Sequence, residues 1–198
     1  MIMSMCKVVC VTNRRLCQGS LVERIKKIGQ ESMADYVILR EKDLPEPEYE
    51  ALAGQVIQVC EEQNMTPILH SYIPVLERLA KESKKKISFH LPVGRLGELT
   101  QEQRICVELL GASVHSLQDA LEAQEKGCDY IVAGHIFDTD CKAGVPGRGL
   151  EFLKEICSEV EIPVYAIGGI NKENASSVLE AGASGVCLMS GLMVTEHK

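Results

Sequence analysis

The sequence predicts an α/β fold, a (β/α)8 TIM barrel built as a single domain over residues 1–198. Three observations carry this expectation. Short β-rich runs alternate with longer helical patterns from end to end, no linker interrupts them, and eight apolar runs of strand length can be counted. With 198 residues and 45% hydrophobic content, one sizeable core is affordable if the βα units are compact.

Lys7 to Thr12 reads as strand one, and Leu21, Ile25 and Ile28 lie on one helix face before strand two at Tyr36 to Arg40. Pro45 and Pro47 open a helix that turns Leu52, Val56, Val59 and Cys60 inward. Strand three is Pro67 to His70, followed by a helix holding Leu76, Leu79 and Ala80, and strand four is Ile87 to Leu91. Gln101 to Leu109 supports only a short or irregular helix before strand five at Leu110 to Val114. Ser116 is placed to cap a helix with Leu117, Ala120, Leu121 and Gln124 on one side, ended by Gly127. Strand six is Tyr130 to Gly134, its helix Leu150 to Glu159, and strand seven Pro163 to Ile167. A helix from Asn171 through Val178 and Leu179 stops at Gly182, and strand eight is Gly185 to Met189. Little chain follows, so the last helix is expected to be truncated or absent. A partner subunit covering the apolar surface left beside strands seven and eight then makes a homo-oligomer the expectation.

Composition excludes several classes of function. A net charge of −7 and the lack of a Lys/Arg stripe with interleaved aromatics argue against a nucleic-acid partner. Lys84-Lys85-Lys86 reads as a solvated helix end. No stretch approaches a membrane span, and Met1 to Val11 lacks a cleavage site, so a cytoplasmic location is expected. The nine cysteines are scattered without a C-x-x-C pair, which removes the usual spacing of zinc or redox sites. Cys10, Cys106, Cys157 and Cys187 read as small core hydrophobes, and reduced thiols account for all nine.

Barrels of this kind carry their chemistry on the loops after the strands, with phosphate commonly held after strands seven and eight. Gly168-Gly169 there and Ser190-Gly191 after strand eight offer backbone N–H donors without side-chain obstruction, so a phosphate is expected. Arg40 and Lys42, at the end of strand two, form a candidate clamp for a carboxylate or phosphate. The long glycine-rich segment 134–149 reads as a loop that covers a ligand. His135 opens it directly after strand six, where an imidazole with a pKa near ~6.5 suits proton transfer. His115 has two readings, a substrate hydrogen bond or a cap on the following helix, and His70 likewise stands between substrate contact and structure. His90 is expected to pack under the fourth loop, and His197 to lie in a tail.

Arg40-Glu41-Lys42, the segment 134–149 and Ala166-Ile167-Gly168-Gly169-Ile170 resemble the thiamine phosphate synthase superfamily over nearly the whole chain. Within it, synthases carry Pro after the Gly of strand six. This sequence has Gly134-His135, and with Lys142 and Gly147-Arg148-Gly149 it looks like the thiazole tautomerase branch, TenI. That resemblance implies a cofactor-free isomerisation in thiamine biosynthesis, in which an exocyclic-alkylidene carboxythiazole phosphate becomes the aromatic isomer. His135 would be the catalytic acid/base, and Arg40 and Lys42 would neutralise the substrate carboxylate. Gly168, Gly169, Ser190 and Gly191 would hold the phosphate, and Thr139 and Lys142 would close over it. The synthases are also implied to hold magnesium on an Asn-Asp pair after strand three and an Asp after strand four. Here those places read His70-Ser71 and Pro92-Val93-Gly94-Arg95, so no metal or cofactor is expected. Two alternatives stand beside the tautomerase. One is a thiamine phosphate synthase joining a pyrimidine pyrophosphate to a thiazole phosphate, and the other a non-catalytic regulatory or ligand-binding protein.

Overall fold

The computed structural model describes residues 6–139 and 144–194. Its eight strands are β1 (Lys7–Val11), β2 (Tyr36–Leu39), β3 (Thr66–His70), β4 (Ile87–Pro92), β5 (Val107–Val114), β6 (Tyr130–Gly134), β7 (Val164–Ile167) and β8 (Gly185–Leu188). They follow chain order in a closed barrel, and the chain has the expected α/β TIM-barrel fold. The helices are α1 (Leu21–Gln30), α2 (Glu46–Glu62), α3 (Ile73–Ser83), α4 (Gln101–Ile105), α5 (Leu117–Glu125), α6 (Gly149–Glu159), α7 (Ala175–Glu180) and α8 (Ser190–Met193). The residues group into two compact units. One contains Val9–His90, Glu98–Glu108 and Met189–Lys198, and the other contains Met1–Val8, Leu91–Gly97 and Leu109–Leu188.

In the unit built around β2 and β3, helical spacing dictates what is buried. Leu21, Ile25 and Ile28 of α1 face inward, as do Tyr49, Ala53, Val56, Val59 and Cys60 of α2. Leu52, expected inward, is only half-buried, because Tyr49 and Ala53 define the buried stripe. Tyr49 is fully buried, and its hydroxyl is satisfied twice: it donates to the Leu39 carbonyl at 2.8 Å and accepts the His70 N–H at 2.8 Å. One phenol thus ties the ends of β2 and β3 together. The β3–β4 register sets His70 beside His90.

In the unit built around β6, β5 pairs with β6 from Gly111↔Tyr130, and β6 pairs with β7 as far as Gly134↔Ile167. The α5 cap is as expected, with Ser116 Oγ accepting the Asp119 N–H at 3.0 Å. Buried sulfur behaves as small apolar bulk: Cys10, Cys60, Cys128 and Cys187 are buried, and burial pushes the Cys60 thiol up to about 12. Cys106 and Cys157, expected in the core, are only half-buried, and every described cysteine is a free thiol.

Two elements differ from the sequence expectation. Strand β5 begins at Val107 rather than Leu110, because α4, capped by the Thr100–Gln103 box at its expected start, ends after five residues. Regular helix α7 begins at Ala175 rather than Asn171: Asn171 caps the turn of residues 172–174 that leads into it, the carboxamide oxygen accepting the N–H groups of Glu173 and Asn174. The last helix is truncated, as expected, with α8 spanning four residues. Among the described residues, no helix is long and apolar enough to cross a membrane.

Gly111 is required by close packing, since a methyl group there would fall on the Tyr130 ring. Gly111→Ala is expected to cost about 2 kcal/mol of stability by urea denaturation, from overpacking; an unchanged midpoint would show that the ring moves aside freely.

Candidate functional site

In the β2–β3 unit the site is built on a buried carboxylate. Glu41 is 2% exposed and directly follows Arg40 at the end of β2. It accepts the Thr12 hydroxyl at 2.8 Å, the Arg14 N–H at 3.0 Å and the Arg14 guanidinium at 3.0 Å. Thr12 Oγ1 in turn accepts the Arg40 N–H at 3.0 Å. Arg14 continues outward to Asp43 at 2.6 and 2.8 Å, and this contact holds the Asp43 carboxyl well below the usual range. The Tyr72 hydroxyl donates toward the Glu41 and Leu44 carbonyls. The turn after β2 is therefore anchored through Glu41, and the residues on either side of it, Arg40 (half-buried) and Lys42 (exposed), carry the cations.

His70 and His90 meet those cations. Both are buried, and their rings stack with centroids 5.4 Å apart at 23°. Burial, then His90, Lys42 and Arg40, push His70 down to about 2, while burial and Lys42 push His90 down to about 3. Both imidazoles are consequently neutral at pH 7. Ser71 Oγ lies 2.6 Å from His70 Nδ1. His90, expected to pack under the fourth loop, is buried in β4 and packs on His70, because their positions pair across the sheet.

Magnesium does not fit these donors. A hard divalent cation selects carboxylate and other oxygen ligands, whereas His70 and His90 offer nitrogens and Ser71 one hydroxyl. Glu41 is already engaged by Thr12 and Arg14, and Lys42 and Arg40 impose a repelling field. Among the described residues there is no group of three His, Cys, Asp or Glu side chains suited to a metal.

In the β6 unit, His135 is 4% exposed, and its Nε2 donates to the Val145 carbonyl at 3.1 Å. Its Nδ1 is buried without a partner among the described residues. The His115 ring donates from Nδ1 to the Gly134 carbonyl at 2.7 Å, and its backbone N–H donates to Asp119. His115 thus braces the end of β6, while Ser116 supplies the helix cap. Gly168 and Gly169 have φ of +105° and +65°. A Cβ at Gly168 would collide with His135, and one at Gly169 would meet the Asp138 carbonyl and Phe137. The two glycines thus admit the loop after β6. Asp138, which sequence reasoning passed over, accepts the Gly147 N–H at 2.7 Å and closes that loop. Thr139 is half-buried, while Lys142 and His197 lie outside the described residues. Ser190 and Gly191 begin α8 and are exposed. A groove of about 800 Å³ opens at the start of β3 and β4, past Thr66, Pro67, Ile87 and Ser88, at the opposite strand ends from His70.

Thr12, Glu41 and Tyr49 are the site residues that sequence reasoning missed as supports. The available signal was a lone acid between two cations at a strand end.

A parallel barrel presenting cations where a strand ends is the class of α/β enzymes that grip anionic substrates. The chain belongs to the thiamine monophosphate synthase family, whose model matches residues 8–192. It is 33% identical to the thiamine-phosphate synthase of Pyrococcus abyssi over 189 residues, covering 94% of this chain and 86% of that one. It is 50% identical to the Pyrococcus furiosus thiamine-phosphate synthase over 88 residues, which is 44% of this chain and 42% of that protein. The solved thiamine phosphate pyrophosphorylase from Pyrococcus furiosus superposes with a TM-score of 0.78 at 34% identity, covering 96% of this chain and 88% of that one. An N-acetylmannosamine-6-phosphate 2-epimerase from Clostridium perfringens, at 13% identity and a TM-score of 0.65, shares the fold alone.

These relatives correct the expected chemistry. The sequence reading favoured an isomerase, a thiazole tautomerase, on the strength of His135, but the relatives are named as synthases, which are transferases, and none singles out the tautomerase branch.

Two outcomes follow. Because both folded histidine pKa values lie below the unfolded value of 6.5, the unfolded chain binds more protons as pH falls. Stability present above about pH 6.5 should fall by about 2 kcal/mol for each histidine at pH 5, read by urea denaturation, with His90→Gln removing about half the slope. Glu41→Gln should cost about 2 kcal/mol by the same measurement, from a lost charge-assisted network; a neutral result would show that Thr12 and Arg14 hold the turn without it.

Proposed function

We propose that this chain is a transferase of the thiamine-phosphate synthase type, joining a pyrimidine pyrophosphate to a thiazole phosphate. The observation that supports this best is the anchored cation pair, Arg40 and Lys42, held beside two neutral buried histidines, in a chain whose relatives carry the synthase name along most of their length.

The reaction asks little covalent chemistry of the protein. The thiazole nitrogen lone pair forms a bond to the pyrimidine methylene carbon. The carbon–oxygen bond breaks, and its electron pair leaves with pyrophosphate, so the product is a thiazolium. Charge grows on the departing diphosphate, and a preorganised guanidinium and ammonium stabilise that charge as it develops. Arg40 supplies a planar fork and Lys42 a point charge. His70 and His90, neutral and stacked, form an uncharged wall beside them.

The test incubates the purified chain with the pyrimidine pyrophosphate and the thiazole phosphate in buffer containing magnesium chloride, and follows thiamine phosphate by chromatography. Product should accumulate catalytically, with Arg40→Gln lowering kcat/KM by about 100-fold, the scale of a charge-assisted contact formed on a leaving group. Absence of product from the folded wild-type chain would sink the reading.

A further inference from the structure

Resting on the transferase reading of the same site, we infer that this chain holds the diphosphate of its substrate directly on Arg40 and Lys42, with no divalent cation between them. The places where the family resemblance puts carboxylates are occupied here by His70-Ser71 and, after β4, by a segment without an acid, Pro92-Val93-Gly94-Arg95. A magnesium ion bridging protein and diphosphate needs oxygen ligands of negative charge on the protein side. Of the acids adjacent in sequence to the cations, Glu41 is turned into the protein, where Thr12 and Arg14 take both of its oxygens, and Asp43 is held by Arg14 and Arg15.

The charge count points the same way. Two carboxylates and one divalent cation sum to zero, so a site without all three still faces the diphosphate with the positive charge of Arg40 and Lys42. The environment of the histidines agrees. They are buried and stacked, and the positive field of Lys42 and Arg40 that disfavours their protonation acts equally against any bound cation and in favour of an anion. Geometry adds to this, because the Thr12–Glu41–Arg14 network anchors the Arg40 backbone and does not leave the clamp to be ordered by a metal.

The experiment measures binding of inorganic pyrophosphate to the full chain by titration calorimetry, once in EDTA and once in excess magnesium at matched total pyrophosphate, with thermal unfolding as a second readout. Pyrophosphate should bind and stabilise the chain in EDTA, magnesium should change the Kd by less than about threefold, and Arg40→Gln or Lys42→Met should weaken binding about tenfold or more. Binding that appears only with magnesium, or tightens about tenfold with it, overturns the inference and leaves the transferase reading standing. Binding in neither condition overturns both the inference and the clamp. Metal-free binding accompanied by no thiamine phosphate in the coupling assay keeps the metal-free anion site and overturns the transferase reading instead.

Discussion

A single buried carboxylate organises the end of β2. Glu41 lies out of water, and a charge in that position is tolerated only when its hydrogen-bonding capacity is filled. Thr12, the Arg14 backbone and the Arg14 guanidinium fill it. The consequence reaches beyond Glu41 itself. The hydroxyl that donates to it also accepts the Arg40 N–H, so the chain just after β2 is pinned to the end of β1. With the acid turned inward, its neighbours in sequence carry a net positive charge that the acid no longer cancels at the surface. Most surface Arg and Lys side chains are free to wander; here the backbone that carries them is anchored.

The same unit shows how burial decides protonation. Two histidines placed side by side by strand register would repel each other if charged, and Lys42 adds to that repulsion. Neutral rings stack instead, as apolar plates with polar edges. Tyr49 completes the frame by satisfying one backbone group on each of β2 and β3 from inside the core. Burial is the main reason that the imidazoles stay uncharged, and the cations beside them act in the same direction.

The segment after β6 teaches a different lesson. A histidine just past a strand end, leading into a glycine-rich loop, has the outline of an acid/base catalyst. In three dimensions its Nε2 is tied to the Val145 carbonyl, its ring is covered, and the glycines after β7 make room for it. Residue type and strand-end position could not foretell this, because the covering carbonyl lies ten residues away and the glycines more than thirty. The isomerase reading rested on that one residue. The relatives, matched along nearly the whole chain, favour transfer chemistry instead.

Sequence alone determined the barrel, most strand positions within a residue or two, the Ser116 cap, and Arg40 with Lys42 as candidate anion ligands. These follow from local periodicity and from where charge interrupts apolar runs, both of which are written along the chain. The sequence also showed that the places expected to carry metal-binding carboxylates hold none. Tertiary structure decided the rest: the inward turn of Glu41, the stacking of His70 on His90 and the burial of His135. Each depends on partners brought close by folding from distant parts of the chain. No periodicity or residue preference encodes those pairings.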